Sequence, residues 1–512
     1  MKYFSKLLLA PLIVLASCQG ESTQSTTEED PEYQLFEKVA ETHTGISFQN
    51  NLTENFENGH NILDFDFFFN GAGVGIGDFD NDGLEDIIFT ANQGVNKIYQ
   101  NKGGLKFEDK TEGSGINEGK HWSNGVAISD INGDGLLDIY ISQGGPNIPL
   151  QRKNLLYINK GEFRFEESAA SYNLADDGIS SQAVFFDYDK DGDQDCFVMN
   201  ESPLIGYDPV KFYKLLIEHE ATLWKSSTSH LYRNDGNKFT DVTADTELDK
   251  PTFGLGMCVS DINDDGWLDI YLANDYYVPD AMYINDQQGG FKDKTEELTN
   301  QISFFGMGVD IADVNNDGLK DIYVLDMASD DHIRAKTLME SMDVQNFRLL
   351  TEKLNFPFQY MYNSLQMGNA VGTFDNVAHA TGLSKTDWSW AGLIADYDLD
   401  GDKDIIVTNG YRRYAKDNDF KAKVNQLQAK YPLGVPLEEK KNLYASMPSE
   451  KLPNIYYENL GNGQFAERTT MAGLTDPSFS NGAAYADLDN DCLLYTSPSP
   501  RDQRGSRMPS SA

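Results

Sequence analysis

Basic residues are scarce in this sequence. Its 512 residues contain 41 lysines and arginines against 81 aspartates and glutamates, which gives a formal net charge of −40. Nucleic-acid binding needs a basic face for the phosphates, so we expect no nucleic-acid partner. With 40% hydrophobic and 12% aromatic residues, the chain still has enough apolar material for one large repeat domain or two ordinary ones.

Cysteines are also few, and their positions do not suggest a disulfide framework. Cys18 lies in an N-terminal export segment and Cys492 in an unusual C-terminal tail, while Cys196 and Cys258 lie in or beside predicted strands. For this last pair we favour two buried free thiols, although the sequence leaves a disulfide open.

Catalytic motifs are hard to find. His219-Glu220 begins a zinc-binding motif, but Leu223 stands where the second histidine is required. The glycines from Gly71 to Gly77 lack dinucleotide-binding spacing, and neither Gly-x-Ser-x-Gly nor Cys-x-x-Cys occurs. Paired carboxylates could cleave glycosides, but nearly all the conspicuous carboxylates belong to a repeated motif of another kind. The sequence therefore favours a binding or scaffolding role over an enzyme.

The repeated motif is Asp-x-Asp/Asn-x-Asp-Gly-x-x-Asp. In a tight loop, the side chains at positions one, three, five and nine can converge on one centre, and this number of hard oxygen ligands suits Ca²⁺. A seventh copy begins at Asp487 and breaks off where Cys492 replaces the glycine. The predicted ligands of six Ca²⁺ ions are Asp78, Asp80, Asp82 and Asp86; Asp130, Asn132, Asp134 and Asp138; Asp187, Asp189, Asp191 and Asp195; Asp261, Asn263, Asp265 and Asp269; Asp313, Asn315, Asp317 and Asp321; and Asp396, Asp398, Asp400 and Asp404.

Two other structures use similar residues to a calcium loop of this kind. An acidic turn without metal uses the same residue types, but six complete copies argue against it. An EF-hand needs Glu at position twelve, where the first copy has Phe89, and the flanking segments such as Ile87-Ile88-Phe89 predict strands rather than helices. The motif therefore predicts strand-loop-strand calcium sites, weaker in the three copies with Asn at position three.

A second repeated phrase follows most of the loops. It contains Tyr-x-Asn, as at Tyr99 and Asn101, and ends in Phe and Thr, as at Phe107 and Thr111. Each unit then has four strands in roughly fifty residues, which is typical of a propeller blade. Because Phe36 to Ile46 matches the closing strand of a unit, we predict an all-β, seven-bladed β-propeller in which this segment completes the last blade.

Three longer spacings between loops contain helical patterns, roughly at 209–224, 332–355 and 412–431. We expect these short helical insertions to lie on one face of the ring, where packing is a more ordinary role than contact with a partner. Four aromatic residues, Trp388, Trp390, Tyr276 and Tyr277, could stack on sugar rings if they were exposed, but we favour strand packing for them.

The N-terminus has the pattern of an export signal. Lys2 and Lys6 precede an apolar stretch that ends Leu15-Ala16-Ser17-Cys18, similar to the lipobox of bacterial lipoproteins. We predict a lipoprotein signal peptide at 1–18 with lipidation of Cys18, a flexible tether at 19–32 and the propeller at 33–491, with its last blade incomplete. An ordinary cleaved signal is the alternative. Residues 492–512 resemble translated sequencing adapter, which makes them an expected artefactual tail on a truncated protein.

The units resemble the FG-GAP/VCBS repeats of integrin-alpha-type propellers. Gly73 to Gly83, and Asp387-Trp388-Ser389-Trp390, are more similar to VCBS-repeat lipoproteins of Bacteroidetes, related to the cartilage acidic protein family, whose members often end in an ASPIC/UnbV domain. The resemblance implies a calcium-dependent propeller lipid-anchored to the outer membrane or cell surface of a Gram-negative bacterium.

Such a protein would bind an extracellular protein or polysaccharide and contact the membrane through the lipid anchor only. The alternatives are a part in polysaccharide processing or uptake, with any enzymatic activity in a missing C-terminal region, and a structural spacer.

Overall fold

The computed structural model describes residues 34–116, 121–146, 152–204, 209–217, 224–338, 344–461, 463–490 and 495–499. The predicted signal peptide with Cys18 and the predicted tether lie outside these residues. Of the predicted tail at 492–512, the described part is Tyr495–Ser499. All the described residues belong to one compact unit that begins at Gln34.

Each sequence unit forms an antiparallel sheet in which strands pair in chain order. The first three sheets are β1 Val74–Gly77, β2 Asp86–Phe89, β3 Lys97–Asn101 and β4 Phe107–Asp109; β5 Ser123–Ser129, β6 Asp138–Gln143, β7 Leu155–Asn159 and β8 Phe165–Glu167; and β9 Ile179–Phe186, β10 Asp195–Glu201, β11 His230–Asn234 and β12 Phe239–Asp241.

The next three sheets repeat this order, with one small parallel pair between them. They are β13 Gly254–Ser260, β14 Asp269–Asn274, β15 Ala281–Asn285 and β16 Phe291–Asp293; the pair β17 Ile302–Ser303 and β20 Gln359–Tyr360; β18 Val309–Ala312, β19 Asp321–Val324, β21 Ser364–Gly368 and β22 Phe374–Asn376; and β23 Ser389–Ala395, β24 Asp404–Asn409, β25 Ile455–Asn459 and β26 Phe465–Glu467.

The first strands of these sheets lie side by side around a circle, from β1 to β5, β9, β13, β18 and β23. The second strands are buried along their whole length, as in β2, because neighbouring sheets cover both of their faces. The architecture is an all-β propeller with six four-stranded blades. A two-stranded sheet of β27 Gly482–Ala486 and β28 Tyr495–Ser499 follows, and β27 lies between β23 and β1.

The segment predicted to be a closing strand does not form one. Within residues 36–46 the chain is irregular apart from a short helix at Glu41–Thr44, since no strand among the described residues lies in position to pair with it. Its backbone nevertheless repeats a contact between blades. The N–H of Phe36 donates to the carbonyl oxygen of Ala472 at 2.9 Å, as the N–H of Phe165 donates to that of Ser114 at 2.7 Å.

Helices lie within all three predicted insertions and at several turns. At the predicted insertions are Pro209–Ile217; Arg334–Thr337, Val344–Arg348 and the π-helical turn Leu349–Lys353; and Asn418–Lys430, which is followed by Leu437–Ala445. Short helical turns close four blades at Ala169–Tyr172, Thr295–Leu298, Ala378–Thr381 and Thr469–Ala472. The helix Asn418–Lys430 begins where the Asp417 side chain accepts the N–H of Phe420, whose ring is buried.

The two cysteines within the described residues are both free. Cys196 is fully buried in β10 and Cys258 is half-buried in β13. The structure therefore has free thiols at this pair, without a disulfide.

Neighbouring first strands approach so closely that glycine is needed at some contacts. A methyl group at Gly308 would collide with the carbonyl oxygen of Trp390 in the next blade, and one at Gly256 would collide with that of Met307. We therefore expect Gly308→Ala to lower the free energy of unfolding by about 1–3 kcal/mol, measured by denaturant titration. The control is Gly94→Ala in an exposed loop, expected to change it by less than about 0.5 kcal/mol. Equal effects of the two substitutions would contradict this packing.

Candidate metal centres

All six complete acidic loops lie at the same end of the ring. Each joins the first strand of its blade to the second, as the loop at Asp78 joins β1 to β2. The helical insertions follow the second strands instead, so they lie at the opposite end. The fold therefore separates a carboxylate-rich end from an end covered by helices.

Within a loop, the first aspartate holds the turn through backbone N–H groups. Asp78 Oδ1 accepts from the N–H of Asp82 at 3.1 Å, and Asp78 Oδ2 accepts from the N–H of Gly83 at 2.8 Å. The same pair of bonds occurs in the other five loops. Gly83 has a φ of +87°, as predicted from the glycine at position six.

Position four is also left-handed in every loop, which was not predicted from the sequence. Its φ lies between +56° and +70° at Asn81, Gly133, Lys190, Asp264, Asn316 and Leu399. Asn, Gly and Asp tolerate this conformation, so four of the six copies carried a usable signal. Lys190 and Leu399 carried none.

The ninth residue of each loop is a completely buried carboxylate. In the first loop, Asp86 is 0% exposed; its Oδ2 accepts from the N–H of Phe79 at 2.9 Å and its Oδ1 from the N–H of Asn101 at 2.7 Å. The equivalent bonds join Asp138, Asp195, Asp269, Asp321 and Asp404 to position two of the same loop and to the third strand. Position nine therefore ties each loop to the body of its own blade.

Burial makes the ionised form of these carboxylates costly. It raises the pKa of Asp86, Asp138 and Asp195 to about 7 and that of Asp269, Asp321 and Asp404 to about 6, although their bonds from backbone N–H groups act in the opposite direction. A cation beside them would stabilise the ionised form.

Three loops bring three carboxylates together, and these are the loops with Asp at position three. Their carboxylate oxygens lie within 4.8 Å of one another in the groups Asp78, Asp80 and Asp86; Asp187, Asp189 and Asp195; and Asp396, Asp398 and Asp400. Asp80 Oδ1 is buried and has no hydrogen-bond partner among the described residues. An unmet buried acceptor inside a cluster of carboxylates fits a cation, and the all-oxygen donor set fits Ca²⁺.

The three loops with Asn at position three are arranged differently. Asn132 Nδ2 donates to Asp134 Oδ2 at 3.0 Å, and the same bond joins Asn263 to Asp265 and Asn315 to Asp317, at 3.0 Å in each case. The amide thus replaces one carboxylate and provides a donor to another. Among the residues that the structure describes, these loops do not bring three carboxylates within 4.8 Å of one another.

In four of the six blades, the asparagine of the Tyr-x-Asn phrase donates to the acidic loop that precedes its own blade around the ring. Asn159 Nδ2 donates to the carbonyl oxygen of Phe79, at position two of the first loop, at 2.8 Å. Asn285 and Asn459 make the equivalent bond to the third and fifth loops, and Asn101 makes it to Leu488 of the incomplete loop at 2.7 Å. The phrase is therefore part of the loop architecture.

Side chains at position four connect successive loops directly. Asn81 Nδ2 donates to the carbonyl oxygen of Gly135 at 3.0 Å, Asn316 Nδ2 to that of Gly401 at 3.2 Å, and Asn490 Nδ2 to that of Gly83 at 2.8 Å. Lys190 Nζ lies 4.3 Å from the centroid of the Trp267 ring in the next loop. Four neighbouring pairs of loops are linked in this way.

The fifth blade lacks the Tyr-x-Asn asparagine and has Gly368 in its place. Its register is clear in the structure, because Gln366 pairs with Ile322 and the N–H of Gly368 donates to Asp321 Oδ1 at 2.9 Å. A Cβ atom at this position would lie 2.5 Å from the carbonyl oxygen of Lys320. The backbone contact is kept while the side-chain link is lost.

The four aromatic residues considered for sugar stacking are packed rather than exposed, as the favoured interpretation predicts. Trp388, Trp390 and Tyr277 are 4%, 6% and 7% exposed, and Tyr276 is half-buried. Trp388 stacks on Tyr411 with ring centroids 4.3 Å apart and an interplanar angle of 4°, so residues that precede the helical insertion cover it. All four nevertheless line one cavity at the end of the ring opposite the acidic loops.

The fold and these loops define an all-β propeller with an acidic loop in each of its six four-stranded blades. The family model described as FG-GAP-like repeat matches residues 78–141 and 261–324, and each match runs from one acidic loop to the strand that follows the next. Among curated proteins, cartilage acidic protein 1 of Mus musculus is 26% identical over 210 residues, which are 40% of this chain and 29% of that protein. The Homo sapiens protein is 25% identical over 210 residues, covering 40% of this chain and 28% of its own length. The chain thus matches less than a third of the length of either relative.

Solved structures offer only distant likenesses. A lectin of Agrocybe aegerita, described as recognising non-reducing terminal N-acetylglucosamine, is 16% identical with a TM-score of 0.40, over 77% of this chain and 78% of its own. The V. cholerae biofilm matrix protein Bap1 is 13% identical with a TM-score of 0.31, over 59% of this chain and 38% of its own. Within the described residues, no helix has the length and apolar character needed to cross a membrane.

The raised pKa values at position nine predict how pH acts on the metal-free protein. Between about pH 4 and pH 7 the folded chain binds protons that the unfolded chain does not, so its stability falls as pH rises through this range. A bound cation would take over the role of these protons. We therefore expect calcium to raise the melting temperature more at about pH 7.5 than at about pH 5, in scans with and without chelator. A calcium-induced rise in melting temperature that does not change with pH would contradict the assignment of these carboxylates to cation sites.

Proposed function

We propose that this protein is an exported, calcium-stabilised propeller that presents a rigid surface to an extracellular protein or polysaccharide. The observation that carries the proposal is the buried, unpartnered Asp80 Oδ1 within a cluster of carboxylates. The same loop recurs six times at one end of the ring, which makes a structural role for the ions more economical than a catalytic one. No nucleic-acid partner is expected at a net charge of −40.

The proposed ions number six, and their affinities fall into two groups. Loops one, three and six carry four carboxylates each and bring three of them together, so they would hold Ca²⁺ more tightly. Loops two, four and five carry three carboxylates, one of which already accepts an amide N–H, so they would bind it more weakly.

The proposed ring has seven blades. The first support is that β27 lies between β23 and β1, and that the incomplete loop contacts the first loop through Asn490. The second support comes from the N-terminal segment. A methyl group at Gly45 would collide with the carbonyl oxygen of Phe107, in the same way as one at Gly115 would collide with that of Phe165. The segment that begins at Phe36 would thus take the outer position of the seventh blade.

Export and anchoring complete the proposal. The basic start, the apolar stretch and the Leu15-Ala16-Ser17-Cys18 sequence are the support for a lipoprotein signal and a lipid on Cys18. A lipid-anchored protein outside the cytoplasm would meet abundant calcium, so the weaker sites would also fill. The proposed location is the outer membrane or cell surface of a Gram-negative bacterium, as in the Bacteroidetes lipoproteins that the sequence resembles.

Calcium titration tests the metal assignment. We expect isothermal titration of the chelated protein to show about six Ca²⁺ per chain, three of them tighter, and EDTA to lower the melting temperature by at least about 10 °C. Asp187→Ala should remove one of the tighter ions and leave five. The matched control is Asp193→Ala, which removes the same charge from an exposed position in the same loop and should keep six. A melt unchanged by EDTA, or loss of all ions in Asp187→Ala, would contradict the proposal.

The binding role is tested separately. Calcium-loaded and chelated protein are applied to a glycan array and to a panel of extracellular proteins, and polysaccharide chain length is measured after incubation. We expect binding that needs calcium, since the ions hold the blades in place, and no shortening of the polysaccharide. If this chain shortens the polysaccharide, and its calcium-site variants shorten it equally, an enzymatic function would be favoured instead.

A further inference from the structure

Five aromatic side chains form a continuous row beside the fifth blade, at the end of the ring where the helical insertions lie. In this aromatic row, neighbouring ring centroids are 6.1 Å apart for Phe358 and Phe347 and for Phe347 and Tyr360, 5.9 Å apart for Tyr360 and Tyr362, and 4.3 Å apart for Tyr362 and His379. Two of these pairs are nearly parallel, with interplanar angles of 16° and 14°. A full sandwich would bring the centroids of such a pair to about 3.5–4 Å, so these rings leave part of each other's faces uncovered.

Solvent reaches the aromatic row directly. Phe358 is 51% exposed, His379 is exposed, and the other three rings are half-buried. Phe358 and Tyr360 alternate with the buried Gln359 along an extended stretch of chain, and this alternation directs both rings to the same, outer side. A ligand in solution therefore contacts the row without any movement of the chain.

The chain that carries most of the row has no charged side chain, which is unusual in this protein. Residues 354–374 contain no Asp, Glu, Lys, Arg or His, although charged residues make up 24% of the sequence. On the neighbouring helical insertion, Arg348 and Glu352 pair with each other, with Nε and Oε1 3.8 Å apart. A partner that is recognised by charge, such as an acidic peptide or a sulfated polysaccharide, therefore finds no complementary group in this stretch.

The shape of the row favours a flat ligand over a protein partner. Because each ring contacts the next, the row has no slot between rings of the kind that receives the prolines of a proline-rich peptide. A fully buried aromatic side chain accounts for about 150–250 Å², so five partly covered rings expose on the order of 300 Å². A stable protein interface needs about 800 Å² from each partner.

Sugar rings have the chemistry that this surface can bind. A pyranose ring has a face of C–H groups, which the electron-rich faces of aromatic rings attract, and hydroxyl groups around its edge. Tyr360 and Tyr362 add hydroxyl groups to the row, and the neutral amide of Gln301 hydrogen-bonds with the hydroxyl of Tyr362. Nucleotide bases are also flat, but a net charge of −40 repels their phosphates.

We propose that the aromatic row binds a neutral, β-1,4-linked oligosaccharide, with successive sugar rings lying on successive aromatic rings. This linkage produces an extended ribbon, which can follow a row of rings, whereas a chain that coils into a helix turns away from it. The inference rests on the proposed binding role, and it names the ligand class and the site.

Binding is measured by isothermal titration of the calcium-loaded full chain with three neutral β-1,4-linked hexasaccharides, made of glucose, mannose or N-acetylglucosamine. We expect at least one of them to bind at least about tenfold more tightly than its own monosaccharide, because the hexasaccharide contacts several rings at once. Hexagalacturonate, which is charged, and a proline-rich peptide serve as the contrasting probes and should bind more weakly than that hexasaccharide.

Substitutions in the row locate the site. Phe358→Ala and Tyr362→Ala should each weaken hexasaccharide binding about tenfold, while Tyr360→Phe keeps its ring and should change the affinity less than about threefold. The matched control is Val371→Ala, at an 83% exposed apolar side chain in the turn between β21 and β22 of the same blade, which should change nothing. The calcium-dependent melt of each variant confirms that it is folded.

Four results would overturn the inference: no binding of any of the three hexasaccharides, binding that survives Phe358→Ala and Tyr362→Ala together, hexagalacturonate binding as tight as that of the neutral chains, or tighter binding of the proline-rich peptide. A chain that keeps its calcium-dependent melt but gives one of these results overturns only this inference. Loss of the calcium-dependent melt in the natural sequence overturns the proposed function instead.

Discussion

The buried carboxylate at position nine is the group on which the rest of the structure depends. In the first blade, Asp86 receives one backbone N–H from its own loop and one from the third strand, so a single side chain sets the distance between a turn and a sheet. Two neutral N–H donors do not offset complete burial of a charge, which is why the pKa of Asp86 is raised to about 7. A cation in the loop would remove this conflict. Stability of the blade and occupancy of the loop are then two aspects of one electrostatic balance.

Because this balance is repeated around the ring, the loops do not act alone. The Tyr-x-Asn asparagine of one blade holds the loop of the blade before it, and several position-four side chains hold the loop of the blade after it. Ordering one loop around a cation therefore also orders acceptors and donors that belong to its neighbours. The fifth blade separates the two contacts of this network. Gly368 has no side-chain amide, but its backbone N–H still donates to Asp321. The contact to the buried carboxylate is kept where the link between blades is lost.

Much of the fold and of the metal end could be predicted from the sequence because the information there is local. Nine consecutive residues contain the predicted ligands and the glycine of each loop, strand-forming residues adjoin them on both sides, and the repetition of this unit predicts the blades. The features that could not be predicted from the sequence depend on contacts between distant residues. The residue that covers Trp388 could not be identified from the sequence, since it is Tyr411, which lies just beyond the end of β24. Leu399 gave no hint of a left-handed conformation, because the loop imposes it. The segment at Phe36 was predicted to be a closing strand, but strand formation requires a partner strand that its own sequence does not contain.

The two ends of the ring are stabilised by different physical effects, and this difference bears on function. At the acidic end, the side chains of each loop form hydrogen bonds with their own backbone or with a neighbouring loop. Substitutions there are therefore expected to change stability. At the other end, helical insertions cover the ring, and two residues that line an aromatic cavity there, Asn70 and Trp388, have side-chain nitrogens without a hydrogen-bond partner among the described residues. Groups that stability does not require are the ones that can be adapted to a ligand. If a cation holds the acidic loops, the acidic end would fix the blades, and the opposite end with its helical insertions would be the part of the ring that is available for binding.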